Sequence, residues 1–454
     1  MRELVKNENG MFSSDRTNYN NTITDGKVSK NPFISSPLAD AGDFSFTFEN
    51  ECGEFVGFIK GEAENKIVTI GNPGYGKTNA FYQIFEIAAT KKAPVINLIF
   101  DSKGDFYKRY RNFKDMKCVV ISHSKDYPET IGWNIFKELL CEKDNLEIAA
   151  REMAKILLGN KMYTGNRQRF FLDAVIEIFV VAMLIAVEDY RCKGIYPTNK
   201  TFVDLVTLKP EILLERAEEY NLKNRIDFII MPSVSDEYNG QTAGVMAEVR
   251  TVVNTLFVGT FKDAGSFSVR NVIRTSNETV NIFIEYDVNF GHALSPIYTC
   301  IITQAIKESL GRNVCNCTLN IFIDEWSLLD KIPDMSNAIS FGRERGLFVA
   351  AALQHVGQIY NIYGDNIAKG MLNGFHNMIV FNTNDKTSRD YIKDRVGNVY
   401  IPRIEYPSLS QQVSSYVSES IISDEDILSL NIGEALIFPG TQRKIYKFKF
   451  RKVK

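Results

Sequence analysis

The stretch GNPGYGKTN, residues 71–79, places Gly71, four residues, then Gly76, Lys77 and Thr78, which is the spacing of a Walker A phosphate loop. Gly71, Gly74 and Gly76 can take backbone angles closed to other residues, so successive N–H groups can turn inward around phosphate oxygens. The whole run of Gly71, Asn72, Pro73, Gly74, Tyr75, Gly76, Lys77, Thr78 and Asn79 is expected to hold a nucleotide. In it Lys77 reaches the β and γ phosphates and Thr78 offers a hydroxyl to Mg²⁺. The helix starting near Asn79 aims the positive end of its dipole at the same anion. A second constellation, NIFIDEWSLLD, ends an apolar run in Asp324 and Glu325, the Walker B arrangement. Asp324 is expected to hold Mg²⁺ through its water shell and Glu325 to polarise the attacking water, so hydrolysis is expected rather than binding alone. No Asn-Lys-x-Asp base-recognition sequence falls where a strand end would present it, which makes ATP with Mg²⁺ the expected ligand.

Two further polar positions lie downstream. LFVAAALQH ends at Gln354, one strand-helix-strand unit after the acidic pair, at the edge of a parallel sheet where ligands bind. It is either a sensor of the γ-phosphate or an exposed strand-end glutamine. The intervening GRERG puts Arg343 and Arg345 on a surface turn, where they are either solvated or, in a ring of subunits, within reach of a neighbour's phosphate.

The elements that must position these groups show in the hydrophobic periodicity. From 66 to 122 the order is strand KIVTI, phosphate loop, helix NAFYQIFEIAATKK, strand APVINLIFD and strand KCVVIS, a parallel α/β pattern. Between about 140 and 258 helical periodicity takes over, in LEIAAREMAKILLG, RQRFFLDAVIEIFVVAML, EILLERAEEY and AGVMAEVRTVVNTLF. The α/β rhythm resumes with TVNIFIEYD and continues through CTLNIFIDE, LFVAAALQ and HNMIVFNT. The expected organisation is a polar arm over 1–45, a nucleotide domain in two halves over 46–140 and 259–454, and an all-helical insertion over 141–258. RKIYKFKFRKVK at the end alternates cationic and apolar residues, as a half-exposed strand does.

Composition narrows the function classes. With 44% hydrophobic residues in 454, the chain can bury a sizeable core. A net charge of −2 leaves any nucleic-acid contact to local patches. Residues 1–30 hold no apolar signal region. The longest apolar stretch, 170–187, is broken by Asp173 and Glu177 and is expected to be a buried core helix. The seven cysteines are scattered without zinc spacing, as in a reduced, cytoplasmic chain.

Taken together, these residues resemble the coupling proteins of bacterial conjugation and type IV secretion. The likeness is carried by GNPGYGKT, by IFDSKGDF, by IGWNIF, by FIDEWSLLDKIPDMSNAISFGRERGLFVAAALQHVGQIYNIYG and by FHNMIVFNTND, and covers roughly residues 60 to 400. It implies a RecA-like P-loop NTPase fold with a mostly parallel central sheet and an inserted all-α domain. It implies roles for Lys77 and Thr78 at the phosphates and Mg²⁺, for Asp324 and Glu325 at metal and water, for Gln354 as sensor and for Arg343 as a finger acting in trans. It also implies a homo-hexamer that moves DNA, with the helical domain meeting DNA and relaxosome or secreted effector proteins. Family members usually begin with transmembrane helices. None is expected here, which leaves three readings open: docking on a separate membrane-anchor or channel protein at the cytoplasmic face, a soluble relative, or a member that has lost its anchoring.

The leading expectation is therefore an ATP-hydrolysing DNA translocase. The alternatives are a nucleotide-switched docking receptor for secreted proteins, or a related chromosome-pumping or DNA-processing ring ATPase. Candidate contacts to single-stranded DNA are the basic, aromatic segments FYKRYRNFK (106–114) and MYTGNRQRFF (162–171), which could pair phosphate neutralisation with base stacking.

Overall fold

The computed structural model describes residues 4–6, 12–14, 27–29, 44–50, 55–59, 66–90, 94–142, 144–159, 166–230, 240–311, 317–405, 412–440 and 444–453. The chain forms two compact units, one of Met1–Lys92, Asn320–Ser327 and Ser336–Lys454, the other of Ala93–Leu319 and Leu328–Met335.

The first unit opens with short strands β1 (Leu4–Lys6), β2 (Phe12–Ser14) and β3 (Lys27–Ser29), the hairpin β4 (Phe44–Glu49) and β5 (Phe55–Ile59), then β6 (Ile67–Ile70) and helix α1 (Lys77–Ala88). Of the polar arm expected over 1–45, only β1 to β3 and the start of β4 lie among the described residues.

The second unit carries β7 (Val95–Asp101), α2 (Asp105–Tyr110), β8 (Lys117–Ile121), α3 (Ile135–Leu139), α4 (Leu146–Leu157), α5 (Asn166–Lys193), α6 (Asn199–Val206), α7 (Pro210–Glu218), α8 (Gly240–Leu256), α9 (Val269–Thr275), β9 (Val280–Glu285) and α10 (Gly291–Leu310). Strands β7 and β8 both pair in parallel with β9. Every residue of β7 is buried, which explains why VINLIFD reads as a continuous apolar run instead of alternating. The stretch Phe170–Lys193 of α5 is long and apolar enough to cross a bilayer, yet 72% of its most apolar window is buried within the protein. Helices α4, α6, α7 and α8 pack around it.

The turn IGWNIF is a hub of this unit. Asn134 Oδ1 accepts from the N–H groups of Phe136 and Lys137 and so caps α3, while its Nδ2 donates to the carbonyls of Pro197 and Gly265. Four residues on, the fully buried Glu138 accepts from Trp133 Nε1, Ser268 Oγ and the backbone N–H groups of Val269 and Arg270, which close the first turn of α9.

The chain returns to the first unit with β10 (Thr318–Ile323), α11 (Met335–Phe341), β11 (Leu347–Leu353), α12 (Val356–Tyr363), α13 (Asp365–Gly374), β12 (Asn377–Val380), α14 (Lys386–Val396), β13 (Asn398–Glu405), β14 (Gln412–Ser420), α15 (Asp424–Leu428), β15 (Glu434–Phe438) and β16 (Lys444–Lys449). Within this unit the sheet order is β1-β2-β3-β16-β15-β12-β6-β11-β10. Its centre is parallel, with Ile67–Ile70 in register between Asn377–Val380 and Ala350–Leu353, and β15 and β16 add on antiparallel. Rings cement the surroundings of α1: Phe46 stacks on Phe348 at 5.3 Å, and Phe85 meets Phe322 edge-on at 5.3 Å.

Candidate nucleotide site

The phosphate loop leaves the C-terminal end of β6 and runs into α1, entirely within the first unit. Gly71 sits where only a hydrogen fits, since a Cβ there would lie 2.6 Å from Phe381 Cβ. Gly76, at φ +110°, turns the chain into α1 through a conformation that L side chains rarely adopt. The loop is tied on both flanks. Gly71 N–H donates to Leu353 O at the end of β11, and Asn72 N–H donates to Asn382 O just beyond β12. Tyr75 O accepts from Gly433 N–H. Pro73 and Gly74 stand exposed at the loop's tip, and Thr78 is half-buried on the first turn of α1.

Lys77 is 9% exposed, and its Nζ donates to Gly71 O at 2.6 Å and Asn72 O at 3.0 Å, which holds the ammonium over the loop that it closes. Asn79 has a different setting from its neighbours. Its Oδ1 accepts from Val453 N–H and its Nδ2 donates to Arg451 O, so both ends of the amide are committed to the segment after β16. Gln83, one turn on, donates to the same Arg451 carbonyl.

Asp324 and Glu325 follow directly on β10 and are 7% and 8% exposed. Glu325 is held at both oxygens: Oε1 accepts from Ser327 Oγ at 2.7 Å and Oε2 from Gln354 Nε2 at 2.6 Å. The latter bond joins the ends of β10 and β11. The strands β6, β11 and β10, neighbours in that order, therefore open on one edge, where the phosphate loop, the acidic pair and Gln354 gather.

Arg343 is not part of this assembly. It lies exposed, with Arg345, on the 3₁₀ turn Gly342–Arg345 that precedes β11, at the opposite end of that strand from Gln354. Its charge, second to burial, depresses the pKa of Lys66, which stands at the start of β6.

Asn382 is the residue that spacing in the sequence does not reveal. It is 5% exposed; its Oδ1 accepts from Asn72 Nδ2 at 3.2 Å, and its own Nδ2 donates to Leu428 O and Leu430 O. One side chain thus fastens the phosphate loop to the turn after α15. The only signal was its place in FNTND, a polar run ending an apolar strand.

The arrangement suits a nucleoside triphosphate: a glycine cradle that a Cβ would fill, a buried ammonium, and two nearly buried carboxylates of which one is doubly oriented. Among the described residues no group of three or more His, Cys, Asp or Glu could hold a metal. A hydroxyl and a single carboxylate do suit Mg²⁺, which keeps most of its waters and shares phosphate oxygens.

Comparison with known proteins agrees. The coupling protein TraD of Escherichia coli is 20% identical over 334 residues, 72% of this chain, and the chain spans only 43% of that relative's length. The unbound form of the bacterial conjugative coupling protein TrwB superposes with a TM-score of 0.71 at 17% identity, over 96% of either chain. TrwB in complex with ADP and Mg²⁺ gives 0.69 at 16% identity, over 96% of this chain and 97% of that one. These likenesses establish a RecA-like P-loop NTPase fold. The profile of the type IV secretion-system coupling protein DNA-binding domain matches residues 52–418, most of the length, and the chain belongs to that family.

Proposed function

We propose that this protein hydrolyses ATP with Mg²⁺ and uses the cycle to move DNA, as single strands, toward a type IV secretion apparatus. The observation that carries the reading is Glu325, nearly buried and fixed at both carboxylate oxygens on the same sheet edge as the phosphate loop. In this reading the N–H groups of residues 71–77 bind the phosphates, and Lys77 exchanges its loop carbonyls for β- and γ-phosphate oxygens. Thr78 Oγ1 and Asp324 hold Mg²⁺, which when bound neutralises charge on the phosphates. Glu325 orients the attacking water, and Gln354 keeps Glu325 in place. TrwB, solved with ADP and Mg²⁺, supports the choice of ligands.

Arg343 belongs to the same proposal as a finger for a neighbouring subunit in a homo-hexamer. The helices between β8 and β9 are the surface for relaxosome or secreted effector proteins, and a channel or membrane-anchor protein at the cytoplasmic face of the membrane completes the set of partners.

Steady-state hydrolysis by the purified protein, with and without single- and double-stranded DNA, tests the core of this reading. DNA should raise the rate, and Glu325→Gln should lower kcat by about 10²-fold or more while nucleotide binding persists. Hydrolysis indifferent to every DNA but raised by a secreted protein would replace the translocase with a docking receptor.

A further inference from the structure

The segment Lys103–Lys117 carries six cations, Lys103, Lys108, Arg109, Arg111, Lys114 and Lys117, against the two acids Asp105 and Asp115, in a chain whose net charge is −2. The structure separates its aromatic residues from its cations. Phe106, Tyr107 and Tyr110 are buried; Tyr107 packs edge-on against Tyr127 and Phe283 and donates its hydroxyl to Glu129 at 2.6 Å. Lys103, Lys108, Arg111 and Lys114 are exposed. The base-stacking half of the expectation for FYKRYRNFK therefore does not hold for these three rings, while these four cations remain open to solvent. Of the companion segment 162–171, residues 162–165 lie outside the described residues and 166–171 open α5.

Two features mark the cations as more than a solvated face. The backbone after α2 reverses through Lys114 and Asp115 at φ +50° and +54°, a left-handed pair without glycine, closed by the bond from Met116 N–H to Phe113 O. Non-glycine residues are uncommon in that region and persist where the surroundings hold them. The turn carries Lys114 at the surface, with its ammonium 5.4 Å from the centre of the Phe113 ring. Second, among the described residues no carboxylate lies within ion-pair distance of Lys103, Lys108 or Lys114. Elsewhere among the described residues of this unit Lys125, Lys200 and Lys223 are paired with Asp263, Asp204 and Glu218, whereas Lys155, Lys209 and Lys262 are also exposed outside ion-pair distance, so what sets this segment apart is the crowding of its cations.

We infer that Lys108, Arg111 and Lys114, with Lys103 beside them, form a contact for the phosphate backbone of single-stranded DNA that works by charge and without base stacking. The inference rests on the reading of DNA as cargo and names where one stretch of strand is gripped. Such a contact is indifferent to sequence and sensitive to salt, because each phosphate neutralised releases condensed counterions.

The test is fluorescence anisotropy of a mixed-sequence single-stranded oligonucleotide titrated with the full chain over a range of salt. In the triple variant Lys108→Gln, Arg111→Gln, Lys114→Gln, the slope of log K against log salt should become shallower by about 2, from roughly 0.7 per lost contact. The paired-lysine control Lys125→Gln, Lys200→Gln, Lys223→Gln removes the same charge and should leave the slope as in the wild type. Thermal melting and DNA-free hydrolysis should match the wild type in both. An unchanged slope in the first triple overturns the inference, as does an equal loss in the control, which would make the effect one of net charge. So does a first triple that loses binding to anionic phospholipid vesicles and keeps its DNA affinity. Wild-type protein that binds no DNA at any salt is a separate outcome, visible before any variant is made, and it removes the translocase reading itself.

Discussion

Gln354 and Ser327 divide Glu325 between them, one donor to each carboxylate oxygen, so the carboxylate proposed as the base is oriented by side chains. Replacing Gln354 by Ala frees Oε2 while leaving Ser327 and the phosphate loop untouched. The carboxylate would then be held by Ser327 alone, so kcat for ATP hydrolysis should fall by about 10-fold, below the full cost of losing a general base. KM should hold, since none of the hydrogen bonds that Gln354 makes reaches residues 71–79; a rise in KM with kcat unchanged would assign Gln354 to nucleotide binding instead. At this scale the sequence was unevenly legible. Lys77, Thr78, Asp324 and Glu325 stand at spacings dictated by phosphate geometry, which a chain cannot vary freely. Asn382 serves the same loop from 310 residues away, and nothing in FNTND distinguishes it from Thr383 or Asn384. Asn79 reads as part of the loop by position, whereas its amide is bonded to Arg451 and Val453.

Elements whose residues are buried on both faces were the readable ones. Strands β6, β7, β9, β10, β11 and β12 are short apolar runs because nearly every one of their residues is buried. Helix α6 was missed: its capping box uses Thr198 with Thr201, without the Glu or Gln that usually advertises a start. The hairpin β13–β14 was missed too, being rich in polar residues. The turn IGWNIF illustrates the difference between finding a motif and knowing its work. It stands out in the sequence as a family feature, and the structure shows a clamp, with Asn134 capping α3 and tying down Pro197 and Gly265. Asn134→Ala should therefore lower stability by about 1–3 kcal/mol, the cost of unsatisfied buried groups. Urea unfolding of the full chain measures it. Asn134→Asp keeps the acceptor that caps α3 but turns a buried carboxylate oxygen toward the carbonyls of Pro197 and Gly265, so it should be at least as destabilising as Asn134→Ala. Equal stability in all three would mean that water replaces the bonds and that the clamp is dispensable.

At the scale of the whole molecule the position of Arg343 bears on whether the proposed finger could act within one chain. β11 separates it from Gln354, and seven residues of strand span about 23 Å, several times the reach of an arginine. Arg343 cannot touch the phosphates held by its own Lys77, so if it contributes to hydrolysis it does so from a neighbour. A head-to-tail ring supplies that neighbour, because each copy then offers its finger edge to the phosphate edge of the next. Arg343→Ala alone should cut hydrolysis by 10³-fold or more, in the range seen when a finger is removed. That loss by itself would not separate a finger from a residue needed for assembly. Mixing does. Lys77→Ala protein cannot turn over ATP but keeps Arg343, and Arg343→Ala protein keeps an intact phosphate site. In randomly mixed rings at equal amounts, half the subunits have a working site and half of those have a finger-bearing neighbour. The mixture should thus recover about a quarter of the wild-type rate from two inactive parents. Recovery with both parents running as rings on sizing columns would locate catalysis at the interface between copies. No recovery from a mixed ring of two inactive parents would overturn the finger in trans and place the effect of Arg343 within its own chain or on assembly.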